Sequence, residues 1–271
     1  MIFDIEYKSN FIKAFTWLIV LAILSGLLMA FFPLMQENDI LSLLEGFEES
    51  VSPAFAQMLG LSKETDYQAI DHFLPFISQY LMVLMAIFAI QMGSASLSKE
   101  QSQGTIEYLY SHPVTRSDIV TDKWMANLGH YILVTLLLLL ANFAFAYLFS
   151  PKPFPMEATA LSLLRIGACY LGIGVFFLFL GYLYSALSSR SSHAEGGSFL
   201  LVLVVLALYF VGIYLGSAYG NFYQFTPFYA FNALGMIHSP INILSIVVSL
   251  VLALIFLGLT YLIYNKKDLK F

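Results

Sequence analysis

The chain contains few charged residues and a single cysteine. Asp, Glu, Lys and Arg make up 11% of its 271 residues, about half the charged share of a soluble domain, whereas 59% of the residues are apolar. Water is therefore not the main solvent of this protein. Because Cys169 has no second cysteine to pair with, an intramolecular disulfide, a cysteine-based zinc site and an iron–sulfur cluster are excluded. The formal net charge of −5 would argue against a nucleic-acid partner, but in a membrane protein the side on which each charge lies matters more than the total.

Several motifs of well-known enzyme classes are also absent from the sequence. It has no G-x-x-x-x-G-K-[ST] phosphate loop, no H-E-x-x-H metal pair and no G-x-S-x-G nucleophile turn. His193 and Glu195 form an H-x-E, but no P-C-x-x-C follows to complete a zinc deaminase site. The five histidines are scattered without the spacing of metal ligands. The sequence therefore predicts a protein that is not an enzyme, hydrolyses no ATP by itself and holds no cofactor or metal.

Long apolar runs dominate the chain. They cover approximately residues 14–35, 73–94, 124–149, 160–186, 198–217 and 241–264, and each is long enough to carry a helix across a hydrocarbon core about 30 Å thick. The runs predict an all-α integral membrane protein with six transmembrane helices in one domain over residues 1–271. The first run exceeds a signal-peptide core and lacks a clean cleavage site, so it is interpreted as a retained span. Residues Ile2 to Lys13 suit a short helix at the membrane surface or a polar leader.

The distribution of Lys and Arg predicts the orientation, because basic residues near span ends are retained on the cytoplasmic side. With the N-terminus inside, nine of the twelve basic residues fall in the cytoplasm and three fall outside or at the outer edge. The nine are Lys8, Lys13, Lys99, Arg116, Lys123, Arg190, Lys266, Lys267 and Lys270, and the three are Lys63, Lys152 and Arg165. Both termini are therefore predicted to be cytoplasmic.

The two large outer segments differ in composition. Residues Gln36 to His72 carry eight acidic residues among apolar ones and are expected to fold into short helices against the outer rim. Residues Ala218 to Pro240 contain seven Phe and Tyr residues and no Asp, Glu, Lys or Arg. That composition suits a hairpin that dips into the interface or back toward the bilayer, provided that protein covers its backbone.

Span four carries small residues every seven positions. Gly167, Gly174 and Gly181 lie on nearly one face of a helix, where small side chains let another backbone approach closely. We interpret this as a helix-packing seam, favouring packing within one subunit over a dimer interface.

Few polar residues lie within the spans. They are Gln79, Gln91, Asn127, His130, Asn142 and Arg165, and most are near predicted span ends, where snorkelling accounts for them. No span centre carries a carboxylate, which disfavours a proton- or sodium-coupled carrier without excluding one.

The loop between spans two and three, from Ser98 to Lys123, is the most informative stretch. Ile106, Leu109 and Tyr110 stand at helical spacing, which predicts a short amphipathic helix that Pro113 ends. Ser117 or Asp118 is expected to cap the next helix. A short helix held between two long spans is well suited to transmit a force from a soluble partner. On the residues alone, a solvated loop is an equally good interpretation or a better one.

The same stretch resembles ATP-binding-cassette exporter permeases of the second type. Their E-x-x-x-G-T…L-x-S-x-P-x-[ST]-R…K pattern is matched by Glu100, Gly104, Thr105, Leu109, Ser111, Pro113, Thr115, Arg116 and Lys123. The six-span layout extends the resemblance to essentially the whole chain. In that family this segment is a coupling helix seated in a groove of a separate ATPase subunit, and a second contact lies between spans four and five.

The resemblance implies specific roles for residues of this chain. It assigns coupling to the ATPase to Glu100, Gly104, Thr105, Leu109, Pro113 and Arg116. It assigns the second contact to Ser188, Arg190, His193 and Glu195. Glu100 would pair with a basic residue of the ATPase, and Arg116 would hold a carboxylate or a helix C-terminus.

The implied assembly contains two permease chains, this one with a second copy or a related permease, and two ATPase chains that bind ATP and Mg. It would move an amphipathic or apolar cargo, such as a peptide, an antibiotic or a lipid-like molecule, out through a bacterial plasma membrane. The alternatives are a secondary transporter driven by an ion gradient and a membrane protein that transports nothing.

Overall fold

The computed structural model describes residues 2–99, 102, 114–188, 191–216 and 221–267. Its helices, in chain order, are α1 (Ile2–Met29), α2 (Asn38–Ser50), α3 (Pro53–Met58), α4 (Ile70–Ser94), α5 (Arg116–Phe149), α6 (Met156–Leu187), α7 (Ser191–Leu215), α8 (Pro227–Ala230), α9 (Gly235–His238) and α10 (Ile243–Lys266). Two short 3₁₀ helices cover Phe32–Gln36 and Phe222–Phe225. Within these described ranges there is no β-strand.

Six of the helices are long and apolar enough to cross a membrane, namely α1, α4, α5, α6, α7 and α10. This confirms the predicted number of spans and the all-α class. The expectation of a separate surface helix over Ile2 to Lys13 is wrong, because α1 is one continuous helix of 28 residues. At 1.5 Å per residue it is about 42 Å long, so it extends well beyond a hydrocarbon core of about 30 Å.

Helices α4 and α6 form the centre of the bundle. Within their apolar stretches, 72% of α4 and 61% of α6 is buried in protein, against 22% in each of α1, α7 and α10. The pair packs closely because glycines replace side chains where the backbones meet. A Cβ atom added at Gly181 of α6 would lie 2.6 Å from the carbonyl oxygen of Ile90 in α4, which is too close for any side chain. The outer helices thus keep much apolar surface free for lipid.

The other two glycines of the predicted seam also contact this same chain. Gly174 lies under the ring of Tyr131, and a Cβ atom at Gly167 would be 2.7 Å from a methyl carbon of Leu139. Both partners belong to α5. One face of α6 therefore packs against α4 and α5 through its small residues.

The chain between α7 and α10 folds back into the bundle. We call its described residues, 221–242, the aromatic segment. Phe228, which is 1% exposed, packs against Phe177 of α6 with ring centroids 5.5 Å apart, and Phe231 lies over Gly172. The part of the segment around Phe228 and Phe231 is thus covered by protein, the condition that a non-helical backbone needs at membrane depth.

Contacts between distant residues place both ends of the described chain at one end of the bundle. The backbone N–H of Phe3 donates to Asp122 at 3.3 Å, and the Lys267 ammonium donates to the carbonyl of Ser188 at 2.5 Å. We call this region, where α1 begins and α10 ends, the basal end. The aromatic segment and the helices α2 and α3 lie toward the opposite end.

Candidate functional site

Most of the predicted coupling residues lie outside the described part of the chain. Glu100, Gly104, Thr105, Leu109, Pro113 and Arg190 are among them, and of His193 only the backbone is described. The predicted coupling helix therefore stays a prediction. The structure describes the two flanks of that segment. The upstream flank ends at Lys99, and the downstream flank begins at Val114.

The upstream flank is the turn of residues 95–99 that follows α4, and side chains from two other helices hold it. The hydroxyl of Ser185 in α6 accepts hydrogen bonds from the backbone N–H groups of Leu97 at 2.9 Å and Ser98 at 3.2 Å. The ammonium of Lys123 in α5 donates to the carbonyl oxygen of Ser96 at 2.5 Å. Backbone groups that would otherwise be unpaired at a helix end are thus satisfied by the bundle itself.

A buried ion pair lies directly beneath this turn. The Lys123 ammonium is 3.5 Å from the Glu6 carboxylate, and the two side chains are only 1% and 6% exposed. Taking two charges out of water is costly unless further hydrogen bonds satisfy them. Here Asn10 and Ser96 both donate to the same carboxylate oxygen of Glu6, at 2.8 Å and 3.1 Å.

The hydrogen bonds continue from this pair into the centre of the bundle. The side-chain amide of Asn127 donates to the hydroxyl of Tyr182 at 2.6 Å and accepts from Asn10 at 2.8 Å. Tyr182 is also 3.0 Å from the hydroxyl of Ser96. The connected side chains, which we call the polar hub, are Glu6, Asn10, Ser96, Lys123, Asn127 and Tyr182. The polar hub links α1, α5 and α6 to the turn that follows α4.

Two further lysines lie around the hub at the basal end. Lys99 donates to the hydroxyl of Ser9 at 2.8 Å. Lys13 donates to the carbonyl of Gln91 at 2.8 Å and lies 4.0 Å from the carboxylate of Glu195. These bonds connect α1 to α4 and to the start of α7.

The downstream flank is the N-terminus of α5, and its cap differs from the prediction. Thr115 caps this helix, whereas Ser117 or Asp118 was expected to do so. The Thr115 hydroxyl accepts from the Asp118 N–H at 3.1 Å, and the Asp118 carboxylate accepts from the Thr115 N–H at 2.9 Å. This reciprocal pair is a capping box, which satisfies two helix N–H groups at once. Asp118 therefore belongs to the cap as its third helical residue.

Arg116 joins the start of α5 to the end of α10. Its guanidinium donates to the backbone carbonyls of Tyr264 at 3.1 Å, Asn265 at 3.2 Å and Lys267 at 2.6 Å. A cation at a helix C-terminus is favourable because the last carbonyls are unpaired and carry partial negative charge. Of the two partners considered for Arg116, this structure thus provides the helix C-terminus.

The predicted second contact lies at the same basal end. Ser188 follows α6 and accepts the hydrogen bond from Lys267, while Glu195 near the start of α7 has a side chain that is 54% exposed. Burial lowers the pKa of the Lys267 ammonium below its ordinary value. The structure therefore brings Arg116, Ser188 and Glu195 to the basal end, where the described flank residue Lys99 also lies.

Sequence reasoning missed the polar hub and misread three polar residues of the spans. Asn127, His130 and Asn142 are at most 3% exposed, so snorkelling to the interface does not account for them. The imidazole of His130 instead stacks on the ring of Tyr7, with centroids 3.9 Å apart.

A signal for the hub was present in the sequence. Glu6, Asn10 and Lys13 follow one helix face at spacings of four and three, and Lys123, Asn127 and His130 repeat the same spacing. Two polar stripes of equal spacing, each on a helix that continues as an apolar span, indicate two faces that meet.

The site offers fixed positions and hydrogen bonds rather than reactive groups. In the residues that the structure describes, no three His, Cys, Asp or Glu side chains are placed to hold a metal ion. The geometry instead fastens both flanks of residues 100–113 to the bundle, one through the polar hub and the other through Arg116.

Comparison with known protein families gives one match that covers nearly the whole chain. The family model described as "ABC-2 family transporter protein" matches residues 1–269. No curated protein matches the chain.

Proposed function

The chain belongs to the ABC-2 family of transporter proteins, and from this premise we propose that it is the membrane-spanning permease subunit of an ATP-driven exporter. The family membership makes it the membrane component of an ABC transporter, which is a transport subunit and not itself an enzyme. The proposal includes two further points. The direction of transport is export, and a separate ATPase chain supplies the energy.

The observation that carries the proposal is the anchoring of both flanks of residues 100–113 to the bundle. Upstream, Ser185 and Lys123 bind the turn that follows α4. Downstream, Arg116 ties the start of α5 to the end of α10. A partner that pushes the segment between these flanks would displace whole helices, because neither flank is free to bend alone. The central position of α4 would carry that displacement to the middle of the bundle.

The partner that fits this arrangement is a separate ATPase subunit. It would bind ATP and Mg and would receive residues 100–113, with the basal residues Ser188 and Glu195 as a second contact. Two permease chains would enclose the transport path between them. In this proposal the basal end faces the cytoplasm, and the bias of Lys and Arg toward that end supports this orientation.

The cargo that we propose is amphipathic or apolar, such as a peptide, an antibiotic or a lipid-like molecule. The apolar side chains of the spans support this class, because a path lined by them solvates an apolar cargo better than an ionic one. We place the exporter in a bacterial plasma membrane as a protein with several spans.

The test is purification of the tagged chain from its native membrane in mild detergent. We expect an ABC ATPase to co-purify in equal amount and the complex to hydrolyse ATP. Glu100→Ala is expected to abolish co-purification, whereas Glu157→Ala, which removes an exposed carboxylate at the start of α6 near the opposite end, should leave it unchanged. Arg116 is kept intact in this test because its loss would also release the end of α10.

Recovery of the chain alone would contradict the proposal. Cargo movement driven by an ion gradient without ATP would then identify a secondary transporter. Catalytic activity of the isolated chain would identify a membrane protein of another kind.

A further inference from the structure

A cavity of about 270 Å³ opens at the end opposite the basal end. One wall is the end of α3, with Gln57, and the loop after it, with Leu61. The other wall is the aromatic segment and the start of α10. Its rim includes the exposed residues Gln57, Ser239 and Ile241. The cavity is therefore accessible from that surface.

The residues around this cavity are aromatic and polar. Three tyrosine rings line it, from Tyr209, Tyr223 and Tyr229, together with the amides of Asn232 and Asn242. Among the described residues that line it, none carries a charge. This contrasts with the acidic surface of α2, which carries Glu45, Glu48 and Glu49.

Internal hydrogen bonds fix the position of the cavity wall. Asn232 accepts hydrogen bonds from the backbone N–H groups of Leu234 at 3.0 Å and Gly235 at 3.1 Å, so the loop before α9 is held in one conformation. Asn242 accepts from the N–H of Ser245 at 3.2 Å and caps α10. Ala230 and Leu234 also line the cavity and are buried, at 3% and 4% exposure. The cavity is thus a formed part of the fold.

Two tyrosine hydroxyls are available to a ligand. Tyr223 and Tyr229 pack edge to face, with ring centroids 5.5 Å apart. In the described portion of the chain, neither hydroxyl has a hydrogen-bond partner. A ligand group with a carbonyl or a hydroxyl can pair with them while its ring packs against theirs.

We propose that this cavity is a binding subsite for an uncharged, ring-bearing and hydrogen-bonding group of the transported cargo. This inference rests on the proposed function, whose cargo class it narrows. A charged group is disfavoured because it would lose its water shell without gaining an opposite charge. The volume lies just below the range of about 300–1,000 Å³ for sites that enclose a whole drug-sized ligand, so the subsite holds one group of a larger cargo.

The test uses three probes of equal shape and different charge. They are 2-naphthamide, which is neutral, 2-naphthoate, which is anionic, and 2-naphthamidine, which is cationic. Binding to the full chain in lipid nanodiscs is measured by saturation-transfer NMR, with empty nanodiscs as the reference for partition into lipid. We expect 2-naphthamide to bind at least tenfold more tightly than either charged probe.

Two variants locate the binding. Ser239→Trp places an indole at the rim and is expected to weaken 2-naphthamide binding at least tenfold. The double variant Tyr223→Phe/Tyr229→Phe keeps both rings but removes their hydroxyls, and should weaken binding about threefold to tenfold. The matched control is Tyr147→Phe, which removes an exposed hydroxyl near the end of α5 and should change nothing.

Equal binding of the charged probes, or binding that neither variant weakens, would overturn the proposal. The measurement needs no ATPase, so its outcome is separate from that of the co-purification experiment. If 2-naphthamide binds selectively but the chain recruits no ATPase, the cavity binds this class of ligand and the proposed role in ATP-driven export is wrong.

Discussion

The charged side chains at the two ends of this bundle lie in opposite environments. At the basal end, Glu6 and Lys123 are buried together and their remaining hydrogen-bonding positions are filled by neighbours. At the opposite end, the acidic residues of α2 stay at the surface, and the cavity beside the aromatic segment is lined by neutral side chains. A buried charge needs fixed partners, and the basal end provides them for both Glu6 and Lys123. The opposite end is suited to contacts with a neutral molecule.

The largest effect is expected from breaking the buried pair. Lys123→Met leaves the Glu6 carboxylate in a buried site without its closest cation. We expect the free energy of unfolding to fall by about 3–5 kcal/mol, measured by denaturation in detergent micelles with the fluorescence of Trp17 and Trp124 as the signal. A loss below about 1 kcal/mol, the size typical of an exposed pair, would show that the basal end does not differ from the surface.

The double variant Glu6→Gln/Lys123→Met is the control for this experiment. It removes both charges and leaves no unpaired carboxylate, so it is expected to recover part of the loss. If the double variant is less stable than Lys123→Met alone, the burial of charge is not the cause.

The next largest effect concerns the close contact of α4 and α6. Gly181→Ala would place a methyl group 2.6 Å from the Ile90 carbonyl oxygen, so the helices must move apart, at an expected cost of about 1–3 kcal/mol. Gly258→Ala in α10 is the matched control, because nothing lies within 4 Å of a Cβ atom there. Since alanine favours a helix over glycine by about 1 kcal/mol, this control should be neutral or stabilising in the same denaturation assay.

A smaller effect is expected at the downstream flank. Thr115→Ala removes the hydroxyl that accepts from Asp118, and loss of such a cap costs about 1 kcal/mol. Under the proposed function, Thr115→Ala should also reduce the stimulation of ATP hydrolysis by cargo, because the cap fixes one flank of residues 100–113. We expect this reduction to exceed the one seen in a variant of equal stability. Unchanged stimulation at reduced stability would limit the role of Thr115 to folding. The matched variant is Ser52→Ala, which removes the cap of α3 near the opposite end.

The smallest effect is expected from the exposed pair at the opposite end. The hydrogen bond from Lys63 lowers the pKa of Glu49, and the same contact raises the pKa of Lys63. The contribution of Glu49 is present above its unfolded pKa of about 4.3 and is lost as the pH falls through the lower folded value. The contribution of Lys63 is present below about pH 10.4 and is lost as the pH rises through the higher folded value.

Both side chains of this pair are more than 60% exposed, so its contribution is small at any pH. We expect the thermal midpoints of the native chain and Lys63→Met to coincide between about pH 5 and pH 9. If Lys63→Met lowers the thermal midpoint in this pH window as much as Lys123→Met does, the two ends do not differ in how much their ion pairs stabilise the fold.

Much of the architecture could be predicted from composition. The six apolar runs indicated six spans because a bilayer requires about twenty apolar residues per helix. The cap of α5 was harder to predict, because a hydropathy pattern does not show which polar side chains bond to one another. It was expected at Ser117 or Asp118, whereas Thr115 caps the helix together with Asp118. The continuity of α1 was missed for the same reason, because Glu6 and Asn10 read as a surface helix when their partners on α5 were unknown.

The sequence by itself determined the all-α class and the number of spans, because each span is a local property of about twenty consecutive residues. Only the tertiary structure decided that Glu6 meets Lys123, that Arg116 caps α10 and that neutral residues from α3, α7 and the aromatic segment enclose one cavity. These contacts join residues separated by more than a hundred positions in the first two cases. Such pairs depend on which helix faces meet, and that choice results from the packing of all six spans together.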